Sequence, residues 1–243
     1  MQSIKRSLDG MPTIFETKIE DGCMFENTAG GIGTLIIDRD FINEMKIIAN
    51  EVKDDKSLIL LFTNIYNKII NYFSSSIVNN KSREQTYENN EVIDDEGMII
   101  GTKISSLKGK NISKCSEKSL AAYIILEELY SMGIITRKPV LTLSQLSTDS
   151  TEAEPHAFVM LNSDKLDNSN KHLLFDVENL TLVENKSGNQ EYYVGLYYLN
   201  DEQYNNFFNG LQCSPTSLYE ILGNYREVGP KRTYGNVKPV KIL

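Results

Sequence analysis

Three residues, taken in chain order, have the types and settings that nucleophilic catalysis by a thiol requires. Cys115 lies at the start of an amphipathic pattern that predicts a helix from Lys114 to Leu129. His156 opens a strand-like apolar segment, and Asp176 follows another. A cysteine at a helix N-terminus, a histidine base and an aspartate that orients the base form a set that attacks carbonyl groups. The sequence therefore predicts a cysteine-nucleophile enzyme with these three catalytic residues.

The surroundings of Cys115 favour a reactive thiol. A thiol is mostly protonated near pH 7, and the positive potential of a helix N-terminus favours the thiolate that attacks. Lys114 and Lys118 add positive charge nearby. We expect the backbone N–H of Cys115 to contribute to an oxyanion hole, with the side chain of Asn111 as a candidate second donor.

Other assignments of the same residues remain open. His172 is the rival base, because it lies four residues before Asp176 on one predicted strand. We prefer His156, since a carboxylate reaches a histidine on an adjacent strand more readily than one along its own strand. Lone cysteines are most often small buried apolar residues, and Cys23 and Cys213 lack a downstream histidine in a comparable setting.

The ordered motifs resemble the transglutaminase-like branch of the papain-type cysteine enzymes. The cysteine-headed helix runs toward Met132-Gly133, a strand carries His156-Ala157-Phe158-Val159, and another ends in Phe175-Asp176. The spacings, 41 residues from Cys115 to His156 and 20 from His156 to Asp176, suit that branch. The resemblance covers roughly residues 105–200 and implies a Cys-His-Asp triad. The chain departs from the family pattern in having no tryptophan, and Val177 stands where a proline is frequent.

The elements that must position these residues indicate an α+β fold. Apolar spacing predicts helices over Phe41–Val52, with Asp40 as its cap, and over Ser57–Val78. Polar residues 79–96 predict a surface loop, with a lid or recognition loop as the alternative. From Val140 onward the period becomes strand-like. The predicted strands are Val140–Leu143, His156–Asn162, His172–Val177, Leu180–Val183 and Tyr192–Leu199.

These elements predict one domain over residues 1–243. It comprises a helical N-terminal part, residues 1–96, and a catalytic core, residues 97–243, in which the nucleophile helix packs on a C-terminal antiparallel sheet. The resemblance implies a papain/transglutaminase-like version of this fold. We expect the tail from Gly229 to Leu243 to be a loop or an edge strand.

Composition limits the class of partner and the compartment. The 243 residues carry a net charge of −8, which argues against general binding to nucleic acid or to anionic membranes. Three widely spaced cysteines, with no CxxC or HxxxH pair, predict neither a disulfide framework nor a zinc site. We expect no metal, no cofactor, no signal peptide and a cytoplasmic location.

Together these observations predict an enzyme that attacks a carboxamide of a protein or peptide through a thioester. Resolution by water gives a thiol protease or a glutamine deamidase, and resolution by an amine gives a transglutaminase. The resemblance adds a bacterial effector, delivered into a host cell, as one possible setting. The alternative is a non-catalytic protein-binding module that retains the fold. The sequence does not indicate the oligomeric state.

Overall fold

A computed structural model describes residues 3–4, 13–15, 19–26, 34–74, 80–148, 151–162, 171–223 and 225–235. The chain divides into two compact units. The first comprises Met1–Arg6 and Thr17–Leu129, and the second comprises Ser7–Glu16 and Tyr130–Leu243.

Both helices and strands are present, so the structure has the expected mixed α+β class. The helices are α1 (Arg39–Val52), α2 (Leu58–Phe73), α3 (Asn80–Glu88), α4 (Cys115–Ser131), α5 (Asp201–Phe208) and α6 (Leu218–Ile221). The strands are β1 (Ser3–Ile4), β2 (Thr13–Phe15), β3 (Cys23–Glu26), β4 (Thr34–Ile37), β5 (Glu91–Ile93), β6 (Ile99–Lys103), β7 (Pro139–Thr148), β8 (Thr151–Leu161), β9 (Lys171–Asn185), β10 (Gln190–Asn200), β11 (Thr216–Ser217), β12 (Tyr225–Glu227) and β13 (Arg232–Tyr234). Within the described part of the chain, no helix is both long and apolar enough to cross a membrane.

Helices α1 and α2 follow from their apolar spacing and their caps. In α1 the buried residues are Phe41, Met45, Ile48, Ala49 and Val52, which recur at helical spacing on one face. The cap is Asp38 and not the predicted Asp40: Asp38 Oδ1 accepts the Phe41 N–H, and Oδ2 accepts the Ser105 N–H. Ser57 caps α2, which ends at Phe73, where Ser74 adopts a left-handed conformation. The predicted extension of α2 to Val78 enters residues outside the described ranges.

The first unit contains a sheet that the sequence did not predict. Its strands lie in the order β1-β3-β4-β6-β5, with β1/β3 and β4/β6 parallel and the other pairs antiparallel. The description of residues 1–96 as a helical part was therefore incomplete. These strands have two to five residues each, too short to show a clear period of two.

The segment 79–96 is ordered structure in its described residues, and not the predicted loop. Helix α3 occupies Asn80–Glu88, and β5 follows as an edge strand. Of the side chains described in α3, only Arg83 and Tyr87 are buried, so the helix has almost no apolar face to predict it from.

The chain divides into units at Leu129 and not at residues 96 and 97. Helix α4, which the sequence predicts to carry the nucleophile, belongs to the first unit up to that residue, and its buried Glu117 pairs with Arg83 of α3. Near the other end of the helix, Glu128 pairs with Lys46 of α1.

The second unit is an eight-stranded sheet whose pairings are antiparallel. Its main order is β11-β10-β9-β8-β7-β13, with β12 on β9 and β2 on β7. The predicted strands of this region are present, but the two predicted segments around Asp176 form one strand, β9, with an irregularity inside it. A core of buried residues packs under this sheet and α5. Its members are Phe158, Met160, Leu174, Tyr197, Leu199, Phe207, Cys213 and Tyr234.

Candidate active site

Asp176 lies at a bulge in β9, and the bulge shapes its surroundings. Gly195 of β10 pairs with Asp176, and Tyr193 pairs with Thr181. Between these pairs β9 has the four residues 177–180, whereas β10 has only Val194. The extra residues leave the ladder, and the backbone N–H groups of Glu178 and Asn179 turn back to donate to Asp176 Oδ1 at 3.0 and 3.1 Å.

The histidine of the predicted set lies against this aspartate. Strands β8 and β9 are neighbours in the sheet, and His156 Nε2 is 2.9 Å from Asp176 Oδ2. Both side chains are buried, with Asp176 fully inaccessible to solvent. The structure thus brings together the two residues that the sequence assigned as base and orienting group.

The second carboxylate oxygen of Asp176 has two further donors. Asn179 Nδ2 donates to Oδ2 at 3.1 Å, and the hydroxyl of Tyr234 donates to the same atom at 2.8 Å. With the donors on Oδ1, the carboxylate uses both of its oxygens as acceptors of several hydrogen bonds. A carboxylate satisfied in this way is held in one orientation.

Asp176 is ionised despite its burial. Desolvation alone would raise its pKa, but the charge and hydrogen bond of His156, the charge of Arg232 and the amide of Asn179 lower the pKa to about 2. Burial and the neighbouring anionic Asp176 raise the pKa of the Tyr234 hydroxyl well above its ordinary value. Tyr234 is therefore a neutral donor to a charged acceptor at physiological pH.

Strand β13 supports the bulge through two residues that sequence reasoning missed. Arg232 and Tyr234 are two positions apart, so their side chains leave the strand on the same face. Arg232 Nη2 donates to the carbonyl of Leu180 at 2.7 Å, at the end of the bulge, while Tyr234 donates to Asp176. A tail rich in polar residues gave no signal of this role. The predicted edge strand is present as β13, and residues 236–243 lie outside the described ranges.

Cys115 is the first residue of α4, in the first unit. The Lys118 N–H donates to the Lys114 carbonyl, and the Lys114 N–H donates to Glu117 Oε2 at 3.0 Å, so the first turn of the helix is well formed. The thiol is buried, with 6% of the residue exposed. Its partnership with His156 stays a prediction.

Asn111 lies four residues before Cys115, in the same unit. Its backbone is in the left-handed region, with φ of 54°, and its N–H donates to the Phe73 carbonyl at 2.9 Å. Asparagine tolerates this conformation better than most residues. The structure thus places Asn111 in the loop before α4, bonded to the last residue of α2, and its role as an oxyanion donor stays a prediction.

The rival histidine has a different carboxylate. His172 Nε2 lies 3.1 Å from Asp201 Oδ1, and its ring stacks on Tyr204 with centroids 3.7 Å apart. Burial lowers the pKa of His172, as does the charge of Arg137, while Asp201 raises it. His172 therefore helps to fix the start of α5 against β9.

Neither a metal centre nor a family match accompanies these residues. Within the described residues, no group of three or more His, Cys, Asp or Glu side chains is arranged to hold a metal ion. Comparison of the chain with protein-family models, with curated proteins and with solved structures finds no match.

Proposed function

We propose that this protein is a cysteine-nucleophile enzyme that attacks a carboxamide of a protein or peptide. In this proposal Cys115 is the nucleophile, His156 the base and Asp176 the group that orients the base. The observation that carries the proposal is the buried His156–Asp176 pair, whose carboxylate is held from several sides.

The hydrogen bonds of Asp176 define which ring nitrogen of His156 acts as the base. An ionised carboxylate can only accept hydrogen bonds, so His156 Nε2 carries a proton and its N–H donates a hydrogen bond to Oδ2. In the neutral ring the lone pair is then on Nδ1. Nδ1 is therefore the atom that takes the thiol proton, and the charged carboxylate stabilises the imidazolium that results.

The reaction follows from these roles. The Cys115 thiolate adds to the amide carbon, and the resulting tetrahedral species collapses as the carbon–nitrogen bond breaks. His156 returns its proton to the leaving nitrogen, which departs as ammonia or an amine, and a thioester remains on Cys115. Water then attacks the thioester carbon while His156 takes its proton, and the carbon–sulfur bond breaks to give a carboxylate and the Cys115 thiol, as in a protease or deamidase. An amine that attacks in the same way gives a new amide, as in a transglutaminase. Each step conserves charge without a cofactor.

The resemblance in the motifs supports a narrower version of the same proposal. It assigns the fold to the transglutaminase-like branch of the papain-type enzymes. The substrate is then a protein or peptide in the cytoplasm, and if the protein is an effector, in the cytoplasm of a host cell. The loss of a proline after Asp176 is compensated by the bulge, because Glu178 and Asn179 supply the backbone donors that hold the carboxylate.

The three cysteines allow a test with internal controls. Cys23, Cys115 and Cys213 are 5%, 6% and 7% exposed, so accessibility alone predicts similar, slow alkylation. Burial raises the pKa of Cys213 to about 12, which makes it an unreactive reference. With iodoacetamide at pH 7 we expect Cys115 to react at least about tenfold faster than either control, because a thiolate and not a thiol is alkylated.

Substitution of each histidine then tests its role. His156→Ala should remove most of the excess rate at Cys115, whereas His172→Ala should leave it unchanged, since His172 is paired with Asp201. If Cys115 in the unaltered protein reacts no faster than Cys23 and Cys213, the enzyme proposal is wrong.

A second candidate function has its own observation in favour. Cys115, His156 and Asp176 are all buried, as they are in a protein where these residues serve only packing and hydrogen bonding. On this alternative the chain is a non-catalytic binding module. It predicts equal alkylation rates at the three cysteines and no dependence on either histidine.

A further inference from the structure

A fully buried ion pair lies in the first unit. Arg83 of α3 and Glu117 of α4 both have no exposed side-chain surface, and Arg83 Nη2 donates to Glu117 Oε1. The hydroxyl of Tyr87, one helical turn after Arg83, donates to the same oxygen. The guanidinium of Arg83 also lies over the Tyr87 ring, 5.1 Å from its centroid.

This group holds the backbone directly before Cys115. Arg83 Nε donates to the Ile112 carbonyl at 3.0 Å, and Glu117 Oε2 accepts the Lys114 N–H at 3.0 Å. The two bonds bracket Ser113, and Cys115 is the next residue after Lys114. The path of the chain into α4 is therefore fixed from both sides by side chains of one buried network.

The positive charge of Arg83 neutralises the negative charge of Glu117 close to Cys115, where a negative charge would disfavour a thiolate. Glu117 lies in the first turn of α4, two residues from Cys115, and an unpaired carboxylate there would disfavour a second negative charge. Burial lowers the pKa of Arg83, but Glu117 and Tyr87 raise it above its usual value, so the guanidinium stays charged. The positive end of α4 then acts on Cys115 with little opposition from Glu117.

Stability alone is a weak explanation for such a pair. Taking two charges out of water costs free energy that their attraction only partly offsets, and apolar replacements of buried ion pairs are often neutral or stabilising. Helix α3 also docks almost entirely through these groups, because Arg83 and Tyr87 are the buried ones among its described side chains. Buried pairs of this kind are best known for fixing one arrangement of the chain.

We propose that Arg83, Tyr87 and Glu117 are positioning residues that hold the segment 112–117 so that Cys115 acts as a nucleophile. This inference rests on the proposed function, since it assigns a role in that reaction. None of the three touches substrate in this scheme. They act by fixing the backbone at Ile112 and Lys114 and by neutralising Glu117.

A double substitution separates positioning from stability. In Arg83→Met with Glu117→Met both charges are absent and the volume is retained, so we expect a melting temperature near that of the unaltered protein. The backbone bonds at Ile112 and Lys114 are lost, so the rate of iodoacetamide alkylation at Cys115, divided by that at Cys213, should fall by about tenfold or more. Arg83→Met alone should melt lower, because it leaves Glu117 buried without its partner.

Two further variants complete the design. Tyr87→Phe removes a single hydroxyl, so this variant should remain folded. Its ratio of alkylation rates, Cys115 over Cys213, should fall by a smaller factor than in the double variant. Glu84→Gln changes an exposed residue of the same helix and should leave the ratio unchanged. The rates at Cys23 and Cys213 show which cause lowers the ratio, because general unfolding raises both of those rates, whereas lost positioning lowers the rate at Cys115 alone.

The outcomes distinguish this inference from the proposed function. A folded double variant with an unchanged ratio overturns the positioning role and leaves the enzyme proposal standing. Should the double variant fail to fold, an unchanged ratio in Tyr87→Phe has the same meaning. A ratio near one in the unaltered protein overturns both, since there is then no reactive thiol to position.

Discussion

Gly195 lies directly across the sheet from Asp176, at a point where no larger residue fits. A Cβ atom on Gly195 would lie 2.5 Å from the Asn179 carbonyl oxygen and 2.8 Å from the Asp176 carbonyl oxygen. Both are backbone atoms, which cannot move aside as a flexible side chain does. The bulge that supplies donors to Asp176 therefore depends on the absence of a side chain on the neighbouring strand.

Gly195→Ala should accordingly destabilise the protein and disturb Asp176. We expect a loss of about 2 kcal/mol in the free energy of unfolding, typical of overpacking in a rigid setting, measured by urea denaturation. Gly229→Ala is the matched control, because its Cβ would meet Leu182 at 3.4 Å, an ordinary contact. Equal stability of the two variants would contradict the importance of the bulge.

Asp176→Asn should lower both stability and turnover. In the structure both carboxylate oxygens of Asp176 accept hydrogen bonds. The amide nitrogen of asparagine accepts none, so donors on one side lose their partner whichever way the amide turns. We expect a cost of about 3 kcal/mol, and turnover reduced strongly but less than in His156→Ala. If Asp176→Asn has the same unfolding free energy and the same turnover as the unaltered protein, Asp176 is not part of the site.

The ionisation of Asp176 predicts how stability responds to acid. Its pKa is about 2 in the folded protein against an ordinary value of 3.8, so the unfolded chain binds this proton more readily. The stabilisation is fully present above pH 4 and is lost as the pH falls toward 2. It amounts to roughly 2 kcal/mol. The unfolding free energies of the unaltered protein and of Asp176→Asn, measured with urea from pH 5 to pH 2, should become more similar as the pH falls.

Tyr234→Phe should weaken the same site from a different strand. It removes one buried hydrogen bond to a charged acceptor, at 2.8 Å, and we expect a loss of about 2 kcal/mol in unfolding free energy. Tyr193→Phe is the control, because that hydroxyl also donates to a carboxylate, Glu191, but in an exposed position. If the two variants unfold alike, Tyr234 does not support Asp176.

His172 predicts a second pH dependence, at milder acidity. Its pKa is lowered by burial below the ordinary value of 6.5, so protonation favours the unfolded chain and stability decreases as the pH falls below 6.5. The melting temperatures of His172→Gln and of the unaltered protein should therefore differ less at pH 5 than at pH 8. A difference that grows on acidification would mean that Asp201, and not burial, controls this histidine.

The longer elements of the fold could be predicted from the sequence because their patterns extend over many residues. Helices α1, α2 and α4 and strands β7 to β10 have clear periods, and their existence is confirmed. The sheet of the first unit was missed, since its short strands have too few residues to show a pattern. Helix α3 was missed because a buried ion pair holds it in place, and an ion pair produces no periodic pattern of apolar residues in the sequence.

The site was predictable to the extent that it depends on neighbouring strands. The sequence indicated that His156 and Asp176 lie on adjacent strands, and β8 and β9 do pair. Tyr234 was not predictable, because it reaches Asp176 from 58 residues further along the chain. Sequence patterns report local structure well, whereas a contact of that span depends on how the whole sheet closes.

The second unit's early strand has a consequence for the order of events during synthesis. Strand β2 belongs to the second unit, although the chain on both sides of it, up to Arg6 and from Thr17, belongs to the first. Its partner β7 ends only at Thr148. At ribosomal rates of about 5–20 residues per second, β2 waits on the order of ten seconds for that partner. The sheet of His156 and Asp176 can therefore be completed only after all of the first unit has been translated.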